Sequence, residues 1–365
     1  MRVSPLAALF AAAAVVAGCA PVARPPAPVE AQPPFPVAAP RPPVSPAQPV
    51  LVVQGEPLSS LPGWEDDDHK AAFDAFRTTC ARTPALVAAC ASARQAGPLD
   101  RAEAKAWLEA RFVAQPLAPD TGAHGLLTGY YAPEYPARDR ADAEFSAPVR
   151  ARPADHVPGR PYASREEIER RPAEALAWMR PEELFFLQIQ GSGALTFPDG
   201  RRTKAVYAAD NGLPFVGIAR VMRAQGLLAD NQTSGDAIRT WLAQHRGPQA
   251  QAVMNANPRY IFFALRPDDG QEPAGAAGVP LPPGRAIAVD PARHAYGELF
   301  WIDAEAPALA GAFPRYRRLV SALDTGGAIK GNVRGDLYLG SGAAAGTEAG
   351  RIRHQLRMWR LVPKA

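Results

Sequence analysis

A glycine-rich segment near the C-terminal end of the chain carries the residues best suited to chemistry. It reads Asp324-Thr-Gly-Gly-Ala-Ile-Lys330-Gly-Asn-Val-Arg334-Gly-Asp336 and holds two carboxylates, a lysine and an arginine. Glycine permits tight turns and lets a ligand approach the backbone closely. Carboxyl groups on such a frame are candidates for general acid and base catalysis. Because a glycosidic bond is one that carboxyl groups can break without metal or cofactor, the segment predicts glycosidase-type chemistry.

Other classes of site find little support in the sequence. The six histidines are scattered without metal-ligand spacing, and no Cys-x-x-Cys pair occurs, which argues against a zinc site. The motif Gly191-Ser192-Gly193 is not the nucleophile elbow of a serine hydrolase. The glycines from Gly340 to Gly346 miss the dinucleotide fingerprint by one residue. We therefore expect no metal and no cofactor.

The chain as a whole is long enough for two modest domains, with 365 residues of which 47% are hydrophobic. Its formal net charge of +4 is small for this length. This balance indicates either a solvated basic surface or an affinity for anionic partners such as acidic glycans and lipid headgroups. No block of like charge suggests a nucleic-acid tail, so we expect no nucleic-acid partner.

The N-terminal end has the features of an export signal. One early arginine, Arg2, precedes an apolar run that is too short for a permanent membrane span. Residues 1–18 are therefore predicted to be a signal peptide. Small residues before Cys19 resemble a bacterial lipobox, which implies lipidation of Cys19, and Ala20 after it favours the outer membrane. The alternative is plain secretion with an incidental cysteine.

A tether and a cysteine pair follow the export signal. Residues 19–62 are crowded with proline and alanine, a composition that favours extended polyproline segments. In an oxidising periplasm, Cys80 and Cys90 are expected to form a disulfide. Two buried free thiols are the alternative.

The rest of the chain predicts helices first and short strands afterwards. Asp66–Asp68 and the pair Asp100 with Glu103 indicate helix starts. After Thr121, short apolar runs between glycines and prolines predict strands, among them Leu126–Tyr131 and Leu184–Gln190. Closely spaced short strands suggest a barrel or a sandwich.

Several motifs, in order along the chain, resemble the membrane-bound lytic murein transglycosylase A (MltA) family. The resemblance covers roughly residues 120–365, and its last third also resembles the "3D" domain, named for three aspartates that would here be Asp290, Asp324 and Asp336. The motifs are Thr128-Gly-Tyr-Tyr131, Gln190-Gly-Ser-Gly193, Asn257-Pro258 followed by Phe262-Phe263, Val289-Asp290, Asp324 to Gly331, and Gly335-Asp336.

The resemblance implies a mainly β fold with flanking helices. It implies a double-psi β-barrel domain, residues 63–133 and 258–365, with a second β-domain that includes helices, residues 134–257, inserted into it. A substrate groove would run between the two. The implied activity is cleavage of the β-1,4 bond between N-acetylmuramic acid and N-acetylglucosamine in peptidoglycan. The product would carry a 1,6-anhydro ring, and the family's single catalytic acid maps to Asp336.

The residues agree with a single catalytic acid. Intramolecular attack by the C6 hydroxyl of the sugar removes the need for an attacking water, so one carboxyl group can protonate the leaving oxygen and later deprotonate that hydroxyl. Such an acid needs a raised pKa. We assign Asp336 this role and Asp324 an electrostatic or structural one, the alternative for Asp324 being a plain turn residue. A structural role is expected for Asp290.

Candidate substrate contacts lie in the other motifs. One of Tyr130 and Tyr131 is expected to face the groove, since their side chains alternate across a strand. Gln188 and Gln190 would share one strand face and bind sugar hydroxyls, or else be satisfied barrel residues. Ser192 and Lys330 are further candidates, with a surface lysine as the alternative for Lys330.

The predicted partners are peptidoglycan glycan strands and, through the lipid anchor, the outer membrane at its periplasmic face. Other cell-wall enzymes are further candidate partners, and a monomer is expected. Two other functions stay open from sequence. One is a non-catalytic, peptidoglycan-binding outer-membrane lipoprotein on the same barrel, since fold does not fix function. The other is a hydrolase of a different β-linked glycan.

Overall fold

The computed structural model describes residues 55–80, 83–172, 174–229, 234–306 and 315–364. The predicted signal peptide, Cys19 and most of the predicted tether lie outside these residues. Within the described ranges, no helix is both long and apolar enough to cross a bilayer.

The N-terminal part of the described chain packs on the barrel as a small helical layer. Its elements are β1 (Glu56–Pro57), α1 (His69–Thr79), α2 (Val87–Ala96), α3 (Arg101–Arg111) and β2 (Phe112–Pro116). Asp68 caps α1 through the backbone N–H of Ala71, and Asp100 with Glu103 forms the predicted capping box of α3. Cys80 and Cys90 form a disulfide that joins the end of α1 to α2, with 5.6 Å between their Cα atoms.

Part of the predicted tether is folded. Residues 55–62, which we assigned to the tether, are folded, with β1 paired to β2 and a 3-10 turn at Leu58–Ser60. Leu58 and Leu61 are buried in the same apolar cluster as Trp64. Each buried leucine contributes about 2 kcal/mol of apolar burial, so a proline-rich segment is held in place where its few large apolar residues meet the core.

A closed six-stranded barrel forms the larger part of the fold. Its strands are β3 (Gly125–Ala132), β10 (Ala286–Ala288), β11 (Leu299–Glu305), β12 (Arg315–Asp324), β13 (Arg334–Ser341) and β14 (Arg353–Pro363). They follow the order β14-β11-β12-β10-β13-β3, and a β14–β3 pairing closes the ring. The pairs β10–β12 and β13–β3 are parallel, and the other barrel pairs are antiparallel. Helix α9 (Gly342–Ala349) connects β13 to β14.

A second lobe lies in the chain between β3 and β10. It contains a four-stranded sheet in the order β4-β7-β8-β9, a two-stranded sheet and five helices among the described residues. The elements are β4 (Glu134–Pro136), β5 (Ala147–Arg150), α4 (Arg165–Arg170), β6 (Ala175–Met179), α5 (Pro181–Gln190), β7 (Gly193–Thr196), β8 (Arg202–Asp210), α6 (Ile218–Ala224), α7 (Gly235–Gln244), α8 (Pro248–Asn255) and β9 (Ile261–Pro267). Because β9 pairs with β8 along seven residue positions, the predicted boundary at residue 257 falls too early.

The segment Leu184–Gln190 is a helix and not the predicted strand. It is part of α5, which starts with Pro181 at its first turn and ends before Gly191, whose φ is +84°. Proline at the first helical position and glycine just after the last one are helix signals. The run of apolar residues misled the prediction, since a short apolar run fits a buried helix as well as a buried strand.

Candidate active site

Strand register brings the two candidate carboxylates to one row across the barrel. Ala288 on β10 lies opposite Asp324 on β12 and opposite Asp336 on β13, and Asp336 in turn lies opposite Thr128 on β3. Residues directly opposite on neighbouring strands point to the same side of a sheet. With strands about 4.8 Å apart, the Cα atoms of Asp324 and Asp336 are roughly 10 Å apart. The small side chain of Ala288 leaves the space between the two carboxylates open.

This row forms one wall of a pocket of about 240 Å³ between the barrel and the second lobe. Both lobes contribute side chains that can donate or accept hydrogen bonds. The barrel contributes Thr128, Tyr130, Asp324, Arg334 and Asp336, and the second lobe contributes Arg165, Gln188, Gln190, Asn257 and Arg259. Ala288 and Phe215 line the pocket with apolar surface.

Asp336 is half-buried at the pocket and is held by a short chain of hydrogen bonds. The Thr128 hydroxyl donates to its Oδ1 at 2.5 Å, and Arg334 Nη2 donates to the Thr128 hydroxyl oxygen at 2.9 Å. Burial raises the pKa of Asp336 above the usual aspartate range, although the Thr128 hydrogen bond and the Arg334 charge act in the opposite direction. The nearby charge of Asp324 adds to the rise. Asp336 therefore keeps its proton to a higher pH than a solvated aspartate does.

Asp324 is fixed by donors on both of its oxygens. The Tyr130 hydroxyl donates to Oδ2 at 2.7 Å, and the backbone N–H of Ala276 donates to Oδ1 at 2.9 Å. Burial raises the pKa of Asp324, and these two hydrogen bonds partly offset that effect. The carboxyl group of Asp324 lines the same pocket as that of Asp336.

The two tyrosines of the Thr128–Tyr131 motif have different surroundings. Tyr130 lines the pocket, and its ring lies 5.2 Å from that of Tyr338. Tyr131 does not line this pocket. Its ring packs against α9 at Gly346, where a Cβ atom would lie 2.7 Å from the ring. Of the two tyrosines, Tyr130 is therefore the one at the pocket, where its hydroxyl donates to Asp324.

The two glutamines lie on α5 rather than on a strand, and both line the pocket. Gln188 is buried, with Oε1 accepting from Arg165 at 2.6 Å and Nε2 donating to the carbonyl of Ile261 at 3.3 Å. Its polar groups are thus occupied within the protein. Gln190 accepts from the backbone N–H of Tyr131 at 3.2 Å through Oε1. Gln190 is therefore the better placed of the two to bind a ligand.

Two predicted contact residues lie away from the pocket. Ser192 lines a separate cavity of about 260 Å³, next to Pro133 and Glu272. The Lys330 side chain is 62% exposed, and its amine lies 3.6 Å from Asp290 Oδ1. Lys330 therefore does not line this pocket, and its role as a substrate contact stays a prediction.

Asp290 holds the backbone of the glycine-rich segment. Its Oδ2 accepts from the N–H of Gly331 at 2.9 Å, and its Oδ1 accepts from the N–H of Ala292 at 3.2 Å. Although burial acts to raise it, the pKa of Asp290 is lowered by these two N–H groups and by Lys330. An ionised carboxylate bound to backbone donors fits the expected structural role.

Several pocket residues were not among the predicted site residues, and Thr128, Arg334 and Arg259 are three of them. Thr128 and Arg334 lie inside motifs that we singled out, but only the pairing of β3 with β13 shows that they meet at Asp336. Arg259 follows the Asn257-Pro258 motif and forms an ion pair with Asp210 at 2.7 Å. Within the described ranges, no three His, Cys, Asp or Glu side chains come together as metal ligands would.

Fold and pocket together define a class: a two-lobed β-barrel protein with a pair of half-buried carboxyl groups at the junction of its lobes. Comparison with known proteins identifies the family. Residues 126–264 match the MltA specific insert domain, and residues 285–362 match the 3D domain. The chain belongs to the family of membrane-bound lytic murein transglycosylase A.

Individual relatives agree with this assignment. Membrane-bound lytic murein transglycosylase A of Vibrio cholerae is 32% identical over 245 residues, a match that spans 65% of this chain and 65% of the relative. A crystal structure of a membrane-bound lytic murein transglycosylase from Agrobacterium tumefaciens is 30% identical with a TM-score of 0.73, covering 85% of this chain and 97% of that one. A structure of Escherichia coli MltA with bound chitohexaose is 28% identical with a TM-score of 0.66, covering 86% and 92%.

Proposed function

We propose that this protein is a lytic transglycosylase of peptidoglycan. It would cleave the β-1,4 bond between N-acetylmuramic acid and N-acetylglucosamine and leave a 1,6-anhydromuramic acid end. The observation that carries the proposal is the half-buried Asp336, whose pKa is raised by burial while its oxygen stays at the pocket. A carboxyl group in this state can donate a proton near neutral pH.

The proposed reaction uses one carboxyl group twice. Asp336 first protonates the glycosidic oxygen, so that N-acetylglucosamine leaves as an alcohol and positive charge develops at C1 of the muramic acid. Asp336, now ionised, then takes the proton of the C6 hydroxyl while that oxygen attacks C1. The bond lost is the glycosidic C1–O bond, the bond gained is the C1–O6 bond, and no water is consumed. The proton returns to Asp336, which is ready for another cycle.

Neighbouring groups would stabilise the charges that form during the reaction. While Asp336 is ionised, the Thr128 hydroxyl and the Arg334 charge stabilise the carboxylate. Asp324 would stabilise the positive charge on the sugar ring, since it faces the same pocket and is oriented by Tyr130. Because the pKa of Asp324 is raised, this stabilisation depends on pH. Only the ionised carboxylate of Asp324 can stabilise the positive charge.

The substrate class rests on the pocket and on the family. Gln190 and Tyr130 offer polar groups to a sugar chain in the pocket, and Ser192 would contact a more distant sugar in the neighbouring cavity. E. coli MltA has been solved with bound chitohexaose, a chain of sugars. We extend glycan binding to this chain and propose that the pocket is part of a longer groove. The two parallel strand pairs support a double-psi arrangement of the barrel.

The proposed location is the periplasmic face of the outer membrane. Relatives carry the name membrane-bound, and the lipobox-like sequence before Cys19 offers an anchor in this chain. The proposed state is a monomer that acts on glycan strands, with other cell-wall enzymes as candidate partners. Radiolabelled palmitate incorporation in wild type and in Cys19→Ala tests the anchor. Equal labelling of the two would exclude lipidation at Cys19.

Digestion of purified murein sacculi tests the activity. The chain without residues 1–18 should release muropeptides with 1,6-anhydro ends, identified by mass spectrometry. Asp336→Asn should lose turnover and still bind sacculi, because the amide keeps the shape of the side chain but cannot deliver the proton. Binding of sacculi by the wild type without any soluble product would favour the non-catalytic alternative. Cleavage of chitin oligomers in preference to murein would favour a hydrolase of another glycan.

A further inference from the structure

The side chains of Asp120, Asp290 and His294 each bond to the backbone of Gly331–Asn332, the short segment between the pocket loop and strand β13. We call these three residues the clamp. Asp290 accepts from the backbone N–H of Gly331 at 2.9 Å, and Asp120 Oδ2 accepts from the backbone N–H of Asn332 at 2.8 Å. The Asn332 carbonyl lies 2.8 Å from Nε2 of His294. Gly331 has a φ of +112°, a conformation that side chains other than glycine rarely adopt. The segment is thus fixed in an unusual backbone conformation from three sides.

Asp290 and His294 are the buried members of this clamp, and His294 is the more deeply buried of the two. Its side chain has no exposed surface, and its ring packs edge-on against Phe300 with 4.9 Å between ring centres. Arg360 Nη2 lies 3.1 Å from Nδ1 of His294, and Glu298 Oε2 lies 3.4 Å from Arg360 Nε. A buried imidazole with both nitrogens engaged can take only one orientation without leaving a polar atom unpaired.

The Asn332 carbonyl fixes the hydrogen on one nitrogen of the His294 ring. A backbone carbonyl only accepts hydrogen bonds, so Nε2 must carry the hydrogen that Asn332 receives. On the other side of the ring, Arg360 Nη2 lies 3.1 Å and Glu298 Oε2 lies 3.6 Å from Nδ1, so charged groups of both signs face that nitrogen.

We propose that His294 is a positioning residue for the catalytic carboxyl group. Its hydrogen bond sets the direction of the Asn332 carbonyl, two residues before Arg334 and four before Asp336. Strand β13 begins at Arg334, and its pairing with β3 starts where Leu126 N–H donates to the Val333 carbonyl at 3.1 Å. A shift of the backbone at Asn332 therefore displaces the start of β13 and alters the contact between Thr128 and Asp336.

The proposal rests on the proposed function only in treating Asp336 as the acid. Misplacing a reacting group by about 1 Å can cost about a hundredfold in rate. Substrate binding uses the pocket walls and does not need the exact position of Asp336. His294 should therefore affect kcat far more than KM.

A pair of variants tests the hydrogen bond itself. His294→Leu fills the site but cannot donate, and we expect kcat on murein glycans to fall about 10- to 100-fold with KM changed less than about twofold. His294→Gln places an amide N–H near the position of Nε2 and should restore kcat to within about threefold of wild type. Leu361→Ala is the matched control. It removes a buried side chain from the same strand as Arg360, so it lowers stability without touching Asn332 and should keep kcat.

Two structural measurements do not depend on activity. Nitrogen-15 NMR of the wild type should show a hydrogen on Nε2 of His294, facing the Asn332 carbonyl. This hydrogen should persist in Arg360→Met, in which loss of the contact at Nδ1 loosens the ring and should lower kcat two- to fivefold. A crystal structure of His294→Leu should show the contact between Thr128 Oγ1 and Asp336 Oδ1 lengthened from 2.5 Å to beyond hydrogen-bond distance. Arg360→Met also tests the proposal if His294→Leu does not fold.

Several results would overturn the positioning role. These are an unchanged kcat in His294→Leu, an equal loss in His294→Leu and His294→Gln, or an equal loss in the Leu361→Ala control at matched stability. An unaltered Thr128–Asp336 contact in the variant structure would do the same. Absence of lytic activity in the wild type, together with a lengthened contact in His294→Leu, would instead reject the proposed function and leave the clamp intact.

Discussion

Thr128 and Asp336 lie directly opposite each other on the parallel strands β3 and β13, and the threonine hydroxyl donates to the aspartate carboxyl group at 2.5 Å. The same hydroxyl oxygen accepts from Arg334. One side chain therefore links the half-buried positive charge of Arg334 to the proposed acid, and strand pairing sets the geometry of that link.

Removal of the Thr128 hydroxyl should change the pH dependence of catalysis. Its hydrogen bond favours the ionised form of Asp336, so Thr128→Val raises the pKa of Asp336 further. The fall in kcat/KM on the alkaline side should therefore move to higher pH. Because Asp336 also loses the hydrogen bond that orients it, the maximal kcat/KM should fall about tenfold, the equivalent of one hydrogen bond. Thr128→Ser keeps the hydroxyl and should keep the wild-type profile. A Val variant with an unmoved profile would show that the hydrogen bond has no part in tuning the acid.

Comparison of Tyr130→Phe with a control variant should distinguish a catalytic role of Asp324 from a contribution to stability alone. It removes the donor at 2.7 Å from Asp324, so we expect kcat to fall about tenfold and stability to fall by about 1 kcal/mol. Tyr316→Phe is a matched control. It removes a buried tyrosine hydroxyl that donates to Glu348 at 2.9 Å elsewhere on the barrel, and it should cost stability but leave kcat unchanged. Equal kcat losses in the two variants would mean that Asp324 does not assist the reaction.

Neutralising Asp336 should stabilise the protein at neutral pH. Its folded-state pKa is raised above the ordinary value of 3.8, so the buried carboxyl group costs stability wherever it is ionised, and that cost disappears as the pH falls through the raised pKa to below 3.8. Thermal unfolding should therefore show Asp336→Asn melting roughly 2–4 °C above wild type at pH 7 and level with it below about pH 3.5. Asp139→Asn, at an exposed carboxyl group, should not change the melting temperature. An Asp336→Asn variant less stable than wild type at pH 7 would contradict a raised pKa.

The Cys80–Cys90 disulfide should matter for stability and not for catalysis. It closes a loop of ten residues in sequence between α1 and α2, so its removal by Cys80→Ser with Cys90→Ser should cost about 2–4 kcal/mol of unfolding free energy. Denaturant unfolding measures that loss, and treatment of the wild type with a reducing agent should reproduce it. Because neither cysteine lines the pocket, kcat at a temperature where both proteins are folded should be the same. A lower kcat in the double variant at that temperature would link the disulfide to the site.

The sequence was most informative where chemistry depends on local signals. Capping residues such as Asp68 and Asp100 correctly predicted helix starts, and both carboxyl groups singled out in the glycine-rich segment line one pocket. Prediction from the sequence failed where a local pattern is compatible with two secondary structures. The apolar run Leu184–Gln190 fits a strand or a buried helix, and only the flanking Pro181 and Gly191 favour the helix.

Contacts between distant segments could not be predicted from the sequence. Thr128 and Asp336 are 208 residues apart and meet through strand pairing. Lys330 and Asp336 are close in sequence, yet the lysine is largely exposed and does not line the pocket, whereas Asp336 does. Spacing in the chain identified candidates, but the register of the barrel decided which of them share a site.

The origin of the oxygen at the new sugar end tests the central claim most directly. Murein sacculi are digested by wild type in water enriched in the heavy oxygen isotope, and the products are analysed by mass spectrometry. A single-carboxyl mechanism with attack by the C6 hydroxyl predicts anhydro products that lack the heavy isotope and are lighter by one water than hydrolysis products. Reducing-end products that carry the heavy isotope would contradict it.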